Sequence, residues 1–197
     1  MSVVTLVSGG LDSLVVARLS QEAGLTQYPL FVDYGQRARD QEFAACVRGM
    51  EKLGLPAPTV ADLSGFGRLI RSGLTDRSQD VFKDAFTPGR NLLFLLAAAA
   101  HAAKLDADAV SIGLLHEDAS LFPDQTRRFL ASAEATLALA VDRPVRVLAP
   151  LAEFHKRDVV RLAEEKGLTG SYSCHLGEDE PCGECIACRE FLFEGAS

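Results

Sequence analysis

The sequence predicts an α/β fold, a doubly wound five-stranded parallel sheet followed by a C-terminal zinc-binding segment. Three observations carry this expectation. Short β-type runs alternate with helical patterns along the chain. The runs are apolar at nearly every position instead of every second one, as befits strands covered on both faces. Four cysteines crowd into residues 174–188, where thiolates at short spacing suit a metal.

The elements follow in order. Strands are expected at 3–8, 28–34, 59–62, 109–112 and 145–149, each rich in Val, Ile, Leu, Phe or Tyr. A helix opens at the Gly9-Gly10 turn and continues through Val15, Val16 and Leu19. Residues 40–53 place Phe43, Val47, Met50 and Leu53 on one helical face. The apolar run at 92–100 reads as a buried helix. Pro123 is expected to open a helix along which Phe129, Ala133 and Leu137 line up, and Gly167 to close one that begins near His155. From 66 to 86 the pattern breaks into Gly, Ser, Asp and Arg with few apolar anchors, which reads as a mobile surface segment. In such a sheet, ligands bind beyond the C-terminal strand ends where strand order reverses.

Composition narrows the function classes. At 197 residues the chain fits a single domain spanning 1–197. A net charge of −7 argues against broad electrostatic binding of nucleic acid, which relies on Lys and Arg to neutralise phosphates. The N-terminus has neither the basic start nor the cleavage site of a secretory signal, and the apolar run at 92–100 falls short of the ~20 residues that span a membrane. A cytoplasmic protein is expected. In a reducing compartment cysteines serve as thiols or metal ligands more readily than as disulfides, and Cys46 stands apart from the other four.

The loop Ser8-Gly9-Gly10-Leu11-Asp12-Ser13 joins the first strand to the first helix. Two glycines let the backbone approach a phosphate, the helix N-terminus adds partial positive charge, and Ser8 and Ser13 bring hydroxyl donors. A plain reading makes it a tight turn with Asp12 or Ser13 as N-cap. The hexapeptide lacks the Lys of a Walker loop and the spacing of a dinucleotide fingerprint. It resembles the Ser-Gly-Gly-x-Asp-Ser loop of the ATP pyrophosphatase family, whose fold is that of the adenine nucleotide alpha hydrolases. That resemblance implies ATP bound by Ser8, Gly9, Gly10, Leu11, Asp12 and Ser13, with attack at the α-phosphorus.

Cys174-x7-Cys182-x2-Cys185-x2-Cys188 brings together four soft ligands, with Pro181 and Gly183 permitting tight turns. Zinc is expected, in a closed structural site. An iron–sulfur cluster is the rival, since the last three cysteines resemble part of a ferredoxin run.

Further stretches line up with one family. Asp33-Tyr34-Gly35-Gln36-Arg37 follows the second strand, Pro88-Gly89-Arg90-Asn91 precedes the apolar helix, and Phe122-Pro123-Asp124 follows the fourth strand. With the phosphate loop and the cysteines, they resemble the 7-cyano-7-deazaguanine synthases, the QueC family, over nearly the whole chain. The resemblance implies an ATP-dependent carbon–nitrogen ligase that adenylates the carboxylate of 7-carboxy-7-deazaguanine, usually with magnesium, and lets ammonia displace AMP. A second adenylation then allows dehydration to the nitrile. Asp12, Arg90 and Lys156 are the candidates for handling charge as pyrophosphate departs, and Arg37 a further nucleotide contact. Asp124 is a candidate to accept the N–H groups of a guanine-like edge, Phe122 to stack on its ring, and Asp118 a third substrate contact in the same loop. Plainer roles for these residues are a helix start for Asp124, a staple for Phe122 and a solvated surface for Arg90 and Lys156.

The match departs from the family pattern at Ala38, Leu121, Gln125, Thr126 and His155, and at Phe191, where an Arg is usual, with Arg189 displaced. Two alternatives therefore stand beside the synthase: a divergent enzyme that transfers the activated acyl group to a protein amine, as in antiviral conjugation, and a nucleotide-binding scaffold without turnover. The partners implied are the deazaguanine substrate, an amine donor, a protein substrate in the divergent case, and a second copy of the chain in a homodimer, with no direct nucleic acid and no membrane.

Overall fold

The computed structural model describes residues 1–192, with side chains as far as Glu190. Five parallel strands, β1 (Ser2–Leu6), β2 (Thr26–Asp33), β3 (Thr59–Asp62), β4 (Ala109–Ser111) and β5 (Arg146–Leu148), lie in the order β3-β2-β1-β4-β5. β1 is central, with Val4 in register with both Tyr28 and Val110. The chain winds outward through β2 and β3, then returns to the other side of β1 for β4 and β5. Strand order therefore reverses between β1 and β4, which opens a crevice at their C-terminal ends.

Helices cover both faces, as the all-apolar strands require. On one face α4 (Arg90–Leu105) and α5 (Arg127–Ala140) pack Leu95, Ala98, Ala99, Ala102 and Leu137 against Val4, Leu30, Val32 and Val110. On the other, α1 (Leu11–Glu22) and α2 (Arg39–Lys52) enclose Phe31 with Leu14, Ala17, Cys46 and Met50, while α6 (Lys156–Glu165) docks Val159 and Ala163 on Leu11, Val15 and Val16 of α1. Thr5 lies in the core among these apolar groups. Its hydroxyl donates to Gln27 Oε1 (3.0 Å), whose amide donates to the Ala17 carbonyl (2.9 Å), so both of these side chains are hydrogen-bonded within the core.

Three expectations need correction. The apolar helix is not buried all round: Leu95, Ala98 and Ala99 of α4 are fully enclosed, but Leu92 and Leu96 are 39% and 43% exposed, because the sheet covers one side of the helix only. Pro123 does not open α5. Residues Pro123–Gln125 form a separate 3-10 turn, Thr126 is extended, and its hydroxyl caps α5 by accepting from the Phe129 N–H (3.2 Å). The segment after α3 (Ser64–Leu69) is packed in place: Leu74, Val81 and Ala85 are buried, and Ser72 and Thr87 share a buried hydroxyl contact of 2.7 Å. Among the described residues no helix is long and apolar enough to cross a membrane.

Candidate active site

The turn between β1 and α1 faces the crevice. Gly9 has φ +80°, and a Cβ there would collide with the Glu42 carbonyl on α2, so the loop lies where only glycine fits. Ser13 braces it: its hydroxyl donates to the Gly10 carbonyl (2.9 Å) and accepts from the Ser8 N–H (3.1 Å). The N-cap is Gly10, not Asp12 or Ser13, and no side chain covers the first N–H groups of α1. Ser8, Gly10, Asp12 and Ser13 line a cavity of about 300 Å³, a size typical of small-molecule sites. Gly9 shapes the loop from behind, and Leu11 turns its side chain into the core beside Val15 and Val16.

Charge enters this cavity from distant parts of the chain. Lys156, the first residue of α6, is 11% exposed and donates to both carboxylate oxygens of Asp12 (2.9 and 3.0 Å), with Glu190 Oε2 at 3.2 Å. Burial alone would depress its pKa, but Asp12 and Glu190 outweigh that and raise it, so Lys156 carries its charge at neutral pH. Arg90, the first residue of α4, also lines the cavity, its guanidinium 5.8 Å from the Tyr34 ring centre and 6.0 Å from that of Phe94. Burial pushes the Tyr34 hydroxyl up to about 12, so it stays neutral.

The substrate candidates are divided. Phe122 lines the cavity, stacked on Phe86 at 5.0 Å. Asp124 lies outside the lining: its carboxylate accepts from the Asn91 N–H at the start of α4 (3.4 Å), and its carbonyl accepts from the Asn91 side chain (2.9 Å). Asp118 points to solvent beside His116, 79% exposed. Arg37 is turned away as well, its N–H bonded to the Leu74 carbonyl (2.8 Å) and its guanidinium to the Gly73 carbonyl (3.2 Å). The loop that reads as featureless in sequence is what draws Arg37 off the cavity.

The four cysteines converge although the chain between them has little regular structure. Their sulfurs lie within 4.8 Å of one another, close to the spacing that a tetrahedral ion with bonds of about 2.3 Å imposes. Backbone N–H groups of Cys182, Cys185 and Cys188 each point at a neighbouring cysteine sulfur at 3.4 Å, which favours thiolates. Val81 completes the surrounding apolar cluster. This donor set fits a metal ion in a closed site. The segment is tied to the phosphate loop by the Tyr172 N–H, which donates to the Gly9 carbonyl (2.9 Å), and it rests on the Arg37–Ala38 backbone at Gly177, where φ is +77°.

The model of the family described as queuosine biosynthesis protein QueC matches residues 2–192. The chain belongs to the QueC family. Among its relatives, a 7-cyano-7-deazaguanine synthase of Methanothermobacter thermautotrophicus is 34% identical, covering 98% of this chain and 95% of that protein. One from Sulfurovum is 33% identical, over 94% and 89%. The fold is that of the U34-tRNA thiolase NcsA of Methanococcus maripaludis, solved with its 4Fe-4S cluster (TM-score 0.60, 19% identity, 98% of this chain and 64% of that one). It is also that of a 4-thiouridine synthetase solved with RNA and bound ATP (TM-score 0.54, 18% identity, 98% and 50%).

Gln125, Thr126, His155 and Ala38 have local roles here. Gln125 Oε1 accepts from the N–H groups of Leu121 and Phe122 (2.9 and 3.0 Å), Thr126 caps α5, and His155 packs on His116 with ring centres 4.8 Å apart. Ala38 is buried against Gly177. Three cavity residues escaped the sequence reading. His175 and Glu190 give no spacing signal. Glu42 sits one helical turn into α2, and its only herald was the Asp33–Arg37 motif just before it.

Burial pushes the Glu42 carboxyl up to about 7, against the Gln36 hydrogen bond and Arg90, which lower it. The folded protein therefore holds a proton there between pH 4.5 and about 7 that the unfolded chain has lost. This contribution to stability is full below the unfolded value and disappears as pH rises through the folded one. Glu42→Gln is expected to raise the thermal midpoint at about pH 8, with the advantage shrinking to nothing near pH 4. Calorimetric scans across that range check it; an advantage that grows on acidification would refute the assigned shift.

Proposed function

We propose that this QueC-family chain is an ATP-dependent carbon–nitrogen ligase. It adenylates the carboxylate of 7-carboxy-7-deazaguanine, releases pyrophosphate, and passes the acyl group to ammonia on the way to amide and nitrile. One observation carries the reading: Asp12 of the phosphate loop and Lys156, far away in sequence, meet in the cavity at the switch point of the sheet. A loop without a Walker lysine is suited to hold the pyrophosphate part of ATP, leaving the α-phosphorus open to the carboxylate. Lys156 and Arg90 offset charge as pyrophosphate leaves, one as a compact ammonium and the other as a planar fork. Magnesium would arrive with ATP, and Asp12 is the carboxylate beside the loop that fits a hard cation. The cysteine set holds zinc as a structural ion, keeping the C-terminal segment and Glu190 at the cavity wall.

Incubation with ATP, magnesium, 7-carboxy-7-deazaguanine and isotope-labelled ammonium is expected to release AMP and pyrophosphate in step with labelled product. Mass spectrometry separates acid, amide, nitrile and protein adduct. Stoichiometric ADP and orthophosphate would mean that a different phosphorus is attacked, and no substrate-dependent pyrophosphate would leave a nucleotide-binding scaffold.

A further inference from the structure

The cavity is lined by three carboxylates, and two of them are engaged by a cation: Asp12 and Glu190 both pair with Lys156. Glu42 is different. Among the described residues no Lys, Arg or His nitrogen lies within ion-pair distance of it. What holds it is Gln36, which donates from Nε2 to Glu42 Oε2 at 3.0 Å.

Gln36 cannot rotate out of this role. Its Oε1 accepts from the Tyr34 N–H (2.9 Å), and its Nε2 also donates to the Val32 carbonyl (3.3 Å), so two backbone groups fix which end of the amide meets Glu42. Gln36 is itself 7% exposed. The motif Asp33–Arg37 thus ends β2 in a turn whose effect is to present a donor to one carboxylate oxygen of Glu42, a residue of the cavity wall. A carboxylate that lines a cavity without an ion-pair partner is costly to hold there, and such groups cluster at functional sites. From the elements packed around it, the charged and titratable groups that face Glu42 are Arg90 on α4, Asp33 at the end of β2, Tyr34 just after it, Cys46 on α2 and Tyr172 of the C-terminal segment.

We infer that Glu42, held by Gln36, is the base that takes the proton of the amine nucleophile as it attacks the adenylated carboxyl group. The inference rests on the adenylation reading above. The nitrogen lone pair forms the C–N bond, the C–O bond to AMP breaks and its electrons leave on the phosphate, and one N–H proton passes to the Glu42 carboxylate. With ammonia the products are the amide, AMP and protonated Glu42, which returns its proton to solvent. The acyl-adenylate step needs no such base, since a carboxylate attacks ATP without losing a proton.

Glu42→Gln tests this, because Gln keeps the volume and can accept the Gln36 hydrogen bond but cannot take a proton. Two rates are measured on the same preparations: exchange of labelled pyrophosphate into ATP with 7-carboxy-7-deazaguanine, and amide or hydroxamate formation with ammonium or hydroxylamine. Exchange is expected to stay within about threefold of the parent, while ammonia transfer falls about 100-fold, the usual worth of general base catalysis. Hydroxylamine, whose attacking nitrogen loses its proton more readily, should lose much less. Ammonia transfer at the parent rate overturns the assignment, as does an equal loss with both nucleophiles. Loss of exchange together with transfer also overturns it, since Glu42 would then serve the nucleotide step. Absence of exchange in the unaltered protein instead refutes adenylation itself, and the role of Glu42 falls with it.

Discussion

Replacing Cys185 with Ser is expected to strip the metal and unfold the C-terminal segment. Cys185 is fully enclosed, its sulfur accepts N–H groups from His175 (3.5 Å) and Cys188 (3.4 Å), and its neighbours are the other three cysteines and Val81. Regular structure in the segment is limited to α7 (Ile186–Leu192), too short to be stable alone. The ion must therefore supply folding energy, and structural zinc in small sites supplies about 10–16 kcal/mol at neutral pH. A three-ligand remnant with a weakly coordinating hydroxyl keeps little of that. Loss of the segment also removes Glu190 from Lys156 and Tyr172 from Gly9, so activity should fall with stability. Elemental analysis should give about one zinc per parent chain and far less in the variant, with a lower thermal midpoint that chelator reproduces in the parent. Retention of zinc with an unchanged midpoint would exclude a structural role for Cys185, and iron as the dominant metal would restore the cluster reading.

Lys156→Ala is expected to lower pyrophosphate exchange by about 10²–10³-fold, the usual cost of deleting one positioned charge from a site where negative charge develops. Both oxygens of Asp12 accept from this ammonium. Lys156 stands at the start of α6 on the cavity wall, where its ammonium can also meet an anion bound beside Asp12. Removing one partner of this partly buried ion pair also costs stability, so the midpoint should drop as well. Measuring exchange well below that midpoint separates the two effects. Lys156→Arg keeps the charge but not the compact ammonium, and should recover only part of the rate. Exchange within a few-fold of the parent in the Ala variant would remove Lys156 from the nucleotide step.

Much of the molecule is legible in the amino-acid sequence alone. The period and composition of the apolar runs set five parallel strands with helices on both faces, because a strand covered twice has no polar side to show. The phosphate loop was legible because the strand-to-helix turn takes a left-handed residue pressed against α2, as Gly9 is, and the cysteines because soft ligands at short spacing have few other uses. The tertiary structure alone decided which polar residues meet. Asp12 and Lys156, far apart in the chain, share a hydrogen bond, while Arg37, inside the most suggestive motif, is drawn off by the Gly73 and Leu74 carbonyls. Asp124 is taken by the start of α4, and Glu42, which no spacing singled out, faces the cavity because Gln36 aims at it. The reason is physical: periodicity reports what a segment buries along its own length, whereas a site is made by side chains from strand ends that only the winding of the sheet brings together.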